Sequence, residues 1–333
     1  MKRLALGLCA LLALPGLAAQ AADLQIIGMT NEAYDIQEAD PTFGCTHRIT
    51  GAFGPGDGAR IGAAIRQSSD AWRDQGLYGV TVVCLDSPGG ALPEALTLAA
   101  QFREQGIGTR LEAGARCESA CALLFMAGSF YAHESGLYKW RIMHPTAKLG
   151  FHAFKLEVPQ GQYDGATVSK AYALAMETLA RTVEDLMQNR GFEDGEHIKP
   201  SLVAAMLRTP PESMMYVETV DQAGRWGIDV GPLRTAGMTL QEMDFRRACT
   251  NRKAWEADET ATRDSYWQDH FVTWTSEDWG DTLEVTTNDM SGDGCQYSLP
   301  TGAARSRSAR LEDAYINAIE PLDPMLRLDR LPY

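Results

Sequence analysis

YGVTVVCLDSPGG, residues 78–90, runs straight into ALPEALTLAAQFREQ, residues 91–105, and the join between them decides the fold. Tyr78 to Leu85 is a nearly continuous apolar run, the pattern of a buried strand. It stops at Asp86-Ser87-Pro88-Gly89-Gly90, where a proline and two glycines break regular structure. Leu92, Ala95, Leu96, Ala99 and Phe102 then recur at the spacing of one buried helix face. Strand, glycine turn and helix make one βα unit, which predicts parallel strand pairing.

The alternation continues on both sides. Upstream, His47 to Phe53 predicts a strand, and Asp57 to Gln67 a helix opening after Gly54-Pro55-Gly56. Downstream, Gly108 to Ala113 reads as a short strand, and Ser119 to Ala127 (SACALLFMA) as a helix buried all round, with Ser119 at its N-terminus. Lys148 to Phe154 is a third strand. Thr167 to Asn189 is a long amphipathic helix with Ala171, Leu174, Leu179, Val183 and Leu186 inward, closed by Gly191. Ser201 to Arg208 is another helix, and Met214 to Val217 leads through Thr219 into Val220 to Trp226 and the turn Gly227-Ile228-Asp229.

After about residue 237 the texture changes. Four of the seven tryptophans, Trp255, Trp267, Trp274 and Trp279, crowd among acidic and polar neighbours, which predicts a separate small domain. Thr282 to Thr287 and Gln296 to Leu299 read as strands across the Ser291-Gly292-Asp293-Gly294 turn, and residues 301–333 as a tail with one short helix. The tryptophans fit either a binding surface or the small domain's own core. Asp289 to Asp293 lacks the alternating acids of a calcium loop.

The whole chain of 333 residues suits one large or two modest domains, and its 45% hydrophobic and 22% charged residues are ordinary for a globular protein. Thirty basic against 44 acidic residues give a net charge of −14. With no basic run, that balance argues against nucleic acid as a partner. Residues 1–21 have a basic start, an apolar stretch from Leu4 to Leu14, a breaker at Pro15 and the small-residue ending Ala19-Gln20-Ala21, the pattern of a secretory signal peptide. Loss of Lys2 and Arg3 with this leader takes the charge to −16. No later window is apolar enough for a transmembrane span, so the expectation is an exported protein, periplasmic or secreted, with a polar linker over residues 22–44. Cys9 lies too early, after Leu8, for a lipoprotein anchor. An oxidising compartment favours disulfides among Cys45, Cys84, Cys117, Cys121, Cys249 and Cys295. Cys249 with Cys295 is the best-founded pair and the other connectivities stay open. Cys-x3-Cys without a second close pair is weak for zinc, and no metal or other cofactor is expected.

Ser119 is the first candidate for chemistry. A serine hydroxyl is a weak nucleophile that needs a base in hydrogen-bond reach, and a helix N-terminus favours an anion forming beside it. The same serine also suits a plain N-cap. Gly89-Gly90 lets the backbone approach a substrate and point N–H groups at it, or is simply a βα turn.

Taken together these residues resemble the ClpP/crotonase superfamily, and in particular the secreted ClpP-like serine peptidases of bacteria. The likeness rests on Leu85-Asp86-Ser87-Pro88-Gly89-Gly90, the Ala95-Leu96-x-Leu98-Ala99 helix, GARCESACA over residues 114–122, Phe125-Met126-Ala127-Gly128 and Leu149-Gly150-Phe151-His152, and it covers residues 45–232. It implies an α/β fold, a ClpP/crotonase-like spiral of βα units over residues 45–236, with residues 237–333 as an accessory domain. Ser119 would be the nucleophile, and the N–H of Gly89 or Gly90 with that of Ala120 the oxyanion hole. His152 matches the base of the secreted subgroup, in an alignment that also matches Arg141 and Pro145 and makes residues 130–140 an insertion. His144 resembles the base segment of cytosolic ClpP and is the alternative. Glu212 is the nearest carboxylate to the third position, where the sequence lacks the ClpP aspartate. Lys148 or Lys170 would serve if the base were a lysine, as in signal peptide peptidases of the superfamily.

The resemblance thus implies a serine-type endopeptidase acting on a peptide or protein substrate, with homo-oligomerisation, as family members commonly self-assemble. Two alternatives carry other chemistry. One is a catalytically inactive binding or scaffold protein of the periplasm; the other is a crotonase-type thioester enzyme, which export away from coenzyme A disfavours.

Overall fold

The computed structural model describes residues 21–28, 44–76, 79–132, 135–154, 161–187, 191–262, 270–287 and 294–333. Residues 1–20 of the leader, most of the linker, Tyr78, Asn189, Trp267, the Asp289 to Asp293 stretch and the 133–134 part of the expected insertion lie outside the described residues. The first elements are β1 (Asp23–Ile26), β2 (His47–Thr50), α1 (Asp57–Asp74), β3 (Val82–Asp86), α2 (Leu92–Gln105), β4 (Gly108–Leu111), β5 (Arg116–Glu118) and α3 (Ala120–Phe125). There follow β6 (Ser129–Ala132), β7 (Gly136–Lys139), β8 (Arg141–Met143), β9 (Lys148–Phe151), α4 (Gly165–Met187), α5 (Pro200–Arg208), β10 (Met215–Tyr216), α6 (Val220–Arg225) and β11 (Asp229–Val230). The last part holds β12 (Thr239–Gln241), α7 (Glu242–Glu256), β13 (His270–Glu277), β14 (Gly280–Thr287), β15 (Gly294–Leu299), α8 (Ala303–Ser306) and β16 (Ser308–Arg310).

This is a mixed α/β fold with several sheets and eight α-helices among the described residues. The largest sheet runs β1-β2-β3-β4-β8-β11, parallel throughout except for β1 at its edge. Four of the five β3 residues are buried, as a central parallel strand covered on both faces requires. A smaller sheet, β10-β9-β5, holds β9 parallel to β5 and antiparallel to β10. It joins the large sheet through Ser87, which bridges Cys117. Helix α2 packs on α1 and on α3, and α3 is apolar and buried in every residue.

Several elements differ from the sequence expectation for identifiable reasons. Helix α1 runs to Asp74 rather than Gln67, because Ser68 returns its hydroxyl to the carbonyls of Ala64 and Ile65 and the first left-handed stop is Gly76 (φ 76°). In α4 the predicted inward face is buried only near the C-terminal end: Leu186 is 5% exposed but Leu174 is 66% exposed. Strands β6 and β7 pair antiparallel, with Phe130 stacked on Tyr138.

A second core, around Phe245, Leu283, Val285 and Tyr297, joins α7 to the β13-β14-β15 meander, of which β13 was not foreseen. Trp274 packs edge-on against Phe245 there, Trp255 belongs to the first core, and Trp279 is fully exposed at a hairpin tip. Three disulfides join Cys45 to Cys84, Cys117 to Cys121 and Cys249 to Cys295, the last as expected. The end of the chain, expected as a tail of the small domain, returns to the first core. It buries Ile319, Leu328 and Leu331 there, and Arg327 bridges Thr219. No helix of the described residues is long and apolar enough to cross a membrane.

Candidate active site

Strand β5 ends at Glu118, α3 begins at Ala120, and Ser119 makes the corner between them with φ 58° and ψ −124°. A non-glycine residue at positive φ costs about 1–3 kcal/mol and persists only where its surroundings over-determine it. Here they do. Ser119 N–H donates to Gly150 O at 3.0 Å, Ser119 O accepts from Ala122 N–H at 3.0 Å, and Glu118 N–H donates to Ser87 O at 3.1 Å. The Cys117–Cys121 disulfide spans the corner from both sides. The Ser119 hydroxyl makes no capping hydrogen bond, so it is not an N-cap in the ordinary sense.

Ser119 instead lines a cavity of about 670 Å³ together with Gly90, Ala120 and His152. Leu92, Leu123, Phe151, Phe154 and Met206 give the walls an apolar surface. The glycine turn packs directly on the serine corner. A Cβ on Gly89 (φ 96°) would fall 2.6 Å from Glu118 O and 2.9 Å from Ser119 Cβ, and one on Gly90 (φ 126°) 2.4 Å from Phe53 O. Both positions therefore require glycine.

The three expected oxyanion donors are not equivalent. Gly89 N–H is taken by Ser87 Oγ at 3.1 Å. Phe53 N–H donates to Gly89 O and Ala91 N–H to Phe53 O, a parallel-bridge pattern that turns the Gly90 N–H away from Phe53. Ala120 N–H, first in its helix, has no intrahelical acceptor. Gly90 and Ala120, both in the cavity lining, are thus the two whose N–H is not taken in this way.

The two histidines are separated by sheet. Strand β9 pairs with β5, Leu149 opposite Cys117 and Gly150 opposite Glu118, so the chain just beyond β9 runs beside Ser119. His152 lies there, half-buried, its Nδ1 2.7 Å from Ala153 O, while Ala153 N–H is held by Thr209 O at 2.8 Å. No hydrogen bond joins Ser119 and His152. His144 follows β8 in the other sheet and does not line the cavity. It is 9% exposed, its Nδ1 accepts from Thr146 N–H at 3.1 Å, and its ring meets Tyr333 edge-on. Burial lowers its pKa. Glu212 is exposed and is not hydrogen-bonded to His152; the atom on Nδ1 is a main-chain oxygen. Lys148 and Lys170 are exposed and outside the cavity lining.

One neighbour was not foreseen. Glu118 is 6% exposed, accepts from Tyr216 Oη at 2.6 Å and is bidentate with Arg116 Nη2 at 2.7 and 2.8 Å. Burial alone would raise its pKa, but the Tyr216 hydroxyl and the Arg116 guanidinium outweigh it and hold the carboxyl below its ordinary value. A glutamate between cysteine and serine carries no sequence signal for this, because Tyr216 comes from distant β10.

Proximity alone does not make a site. His47 Nε2 lies 2.7 Å from Ser68 Oγ, yet His47 is fully buried and Ser68 sits within α1. Among the described residues the one cluster of metal-ligand type is Cys45, Cys84 and Glu112, whose sulfurs are joined and whose carboxylate pairs with Arg48. The chain matches no known protein family and no curated protein.

Proposed function

We propose that this protein is an exported serine peptidase with a ClpP-like core, cleaving peptide bonds through an acyl-enzyme on Ser119. The observation that carries this reading is a strained, uncapped serine that lines one cavity with His152, Gly90 and Ala120. The chemistry follows from the hydrogen bonds. His152 Nδ1–H donates to Ala153 O, which leaves Nε2 with its lone pair as the base. Substrate binding closes the remaining gap between ring and hydroxyl, as catalytic hydrogen bonds often tighten only in the complex. Nε2 takes the Ser119 proton, Oγ attacks the carbonyl, and Gly90 and Ala120 N–H groups hold the oxyanion. The imidazolium then protonates the leaving amine, and water, activated by the same ring, releases the acid. Ala153 O orients the ring where a triad would use a carboxylate. A neutral oxygen stabilises imidazolium less, so a dyad slower than a full triad is expected.

Three disulfides and the leader motif support export to an oxidising compartment. The absent Ser119–His152 hydrogen bond is the observation that favours the second reading, an inactive binding protein on the same scaffold. A fluorophosphonate probe separates the two. The expected result is covalent labelling of the native protein, abolished by Ser119→Ala, lowered at least about a hundredfold by His152→Ala and unaffected by His144→Ala. Absence of labelling, or labelling that survives Ser119→Ala, removes the peptidase.

A further inference from the structure

The leader motif ends at Ala21, and the next nitrogen meets a buried acid. Ala22 N lies 3.0 Å from Asp57 Oδ2, and both residues are 2% exposed. Asp57 Oδ2 also accepts from Gly54 N–H at 2.7 Å, and Oδ1 from Arg60 Nη2 at 2.6 Å. Beside it, Glu94 accepts from Gly56 N–H at 3.0 Å and Gly58 N–H at 2.9 Å. Two carboxylates therefore share this corner, and Arg60 is the only cation paired with either among the described residues. One positive charge would bring the group to neutrality.

The same corner braces the candidate active site. Asp57 N–H donates to Gly54 O, and Gly54 follows Phe53, which clasps the glycine turn through Gly89 O at 2.7 Å and Ala91 N–H at 2.9 Å. Glu94 stands in the first turn of α2, the helix that leaves that turn. A shift of residues 53–54 must move Gly90, which forms a parallel bridge with Phe53 and whose added Cβ would fall 2.4 Å from Phe53 O.

Resting on the reading above as an exported peptidase, we propose that cleavage between Ala21 and Ala22 activates the enzyme: the new α-ammonium of Ala22 pairs with Asp57 and fixes the Gly90 amide in its catalytic position. The covalent step is hydrolysis by the leader-removing peptidase of the exporting cell. Water adds across the bond, the carboxylate leaves with the leader, and the amine takes up a proton, its ordinary pKa being about 8. Before cleavage the Ala22 nitrogen is a neutral amide donor in the same place. Afterwards it is a charged donor to a buried carboxylate, roughly twice as strong an interaction.

The test compares the mature chain, released from a cleavable fusion with Ala22 as its first residue, with the same chain carrying a Gly-Ser dipeptide ahead of Ala22. Fluorophosphonate labelling of Ser119 and the melting temperature are both read. The mature form is expected to label about tenfold faster and to melt higher, and Asp57→Asn to erase both differences. The extension keeps every side chain, so it decides the matter even where Asp57→Asn fails to fold. Equal rates with both forms labelling overturn this proposal and leave the peptidase reading intact. No labelling of either form overturns the peptidase reading and the activation step with it, while the melting temperatures still decide the ion pair. A native N-terminus at any residue but Ala22, found by sequencing the exported protein, also overturns it.

Discussion

Gly89 packs against the Ser119 corner so closely that it is more than a flexible turn residue. Its missing side chain is the space in which the serine corner sits, because a Cβ there would enter the Glu118 carbonyl and the Ser119 Cβ. Gly89→Ala is expected to slow fluorophosphonate labelling at least tenfold and to cost about 2 kcal/mol or more of stability by urea unfolding. Gly114 supplies the control. It has φ 74° with nothing near its Cβ, so Gly114→Ala bears only the backbone cost and should leave labelling unchanged. A Gly89→Ala protein labelling at the native rate would contradict the proposed geometry. Local sequence reveals Ser119 because strand, turn and helix are all within reach of a short window. It does not reveal which main-chain groups serve it: the Ala153 carbonyl and the Gly90 amide carry no residue identity, and Glu212 stood out in the sequence only because carboxylates are visible there.

Strand pairing is what separates His152 from His144. Both follow short strands, β9 and β8, of which only β9 is read from the sequence. Only β9 lies beside β5. The long helix α4 shows the same dependence on neighbours. Its apolar stripe is continuous in sequence, but burial is complete only where the helix reaches the first core, at Leu186. Leu186→Ala should therefore cost about 2–4 kcal/mol, while Leu174→Ser should change stability by less than about 0.5 kcal/mol, both measured by urea unfolding. Equal costs would mean that the first half of α4 is covered in solution.

Across the whole molecule, the first core couples stability to pH through His47. It is fully buried between Thr46 and Ser68, and burial pushes its pKa from 6.5 down to about 4. The folded state thus prefers the neutral ring. Stability from this group is complete above pH 6.5 and is lost as pH falls through about 4, a change of about 3 kcal/mol. Urea midpoints of the native protein should fall more steeply from pH 7 to 4 than those of His47→Asn; parallel profiles would exclude His47 as the cause. The sequence by itself determined the alternating α/β class, the glycine turn and the serine at a helix start, and singled out Cys249–Cys295 as the best-founded pair. All but the last arise from periodicities and turn chemistry confined to a few neighbouring residues. Tertiary structure decided that His152 and not His144 lines the cavity with Ser119, that the Gly89 amide is taken by Ser87, that the last residues return to the first core and that Ala22 meets Asp57. All of those contacts but the Gly89 one join distant segments, and their meeting depends on sheet order and helix packing rather than on any local pattern.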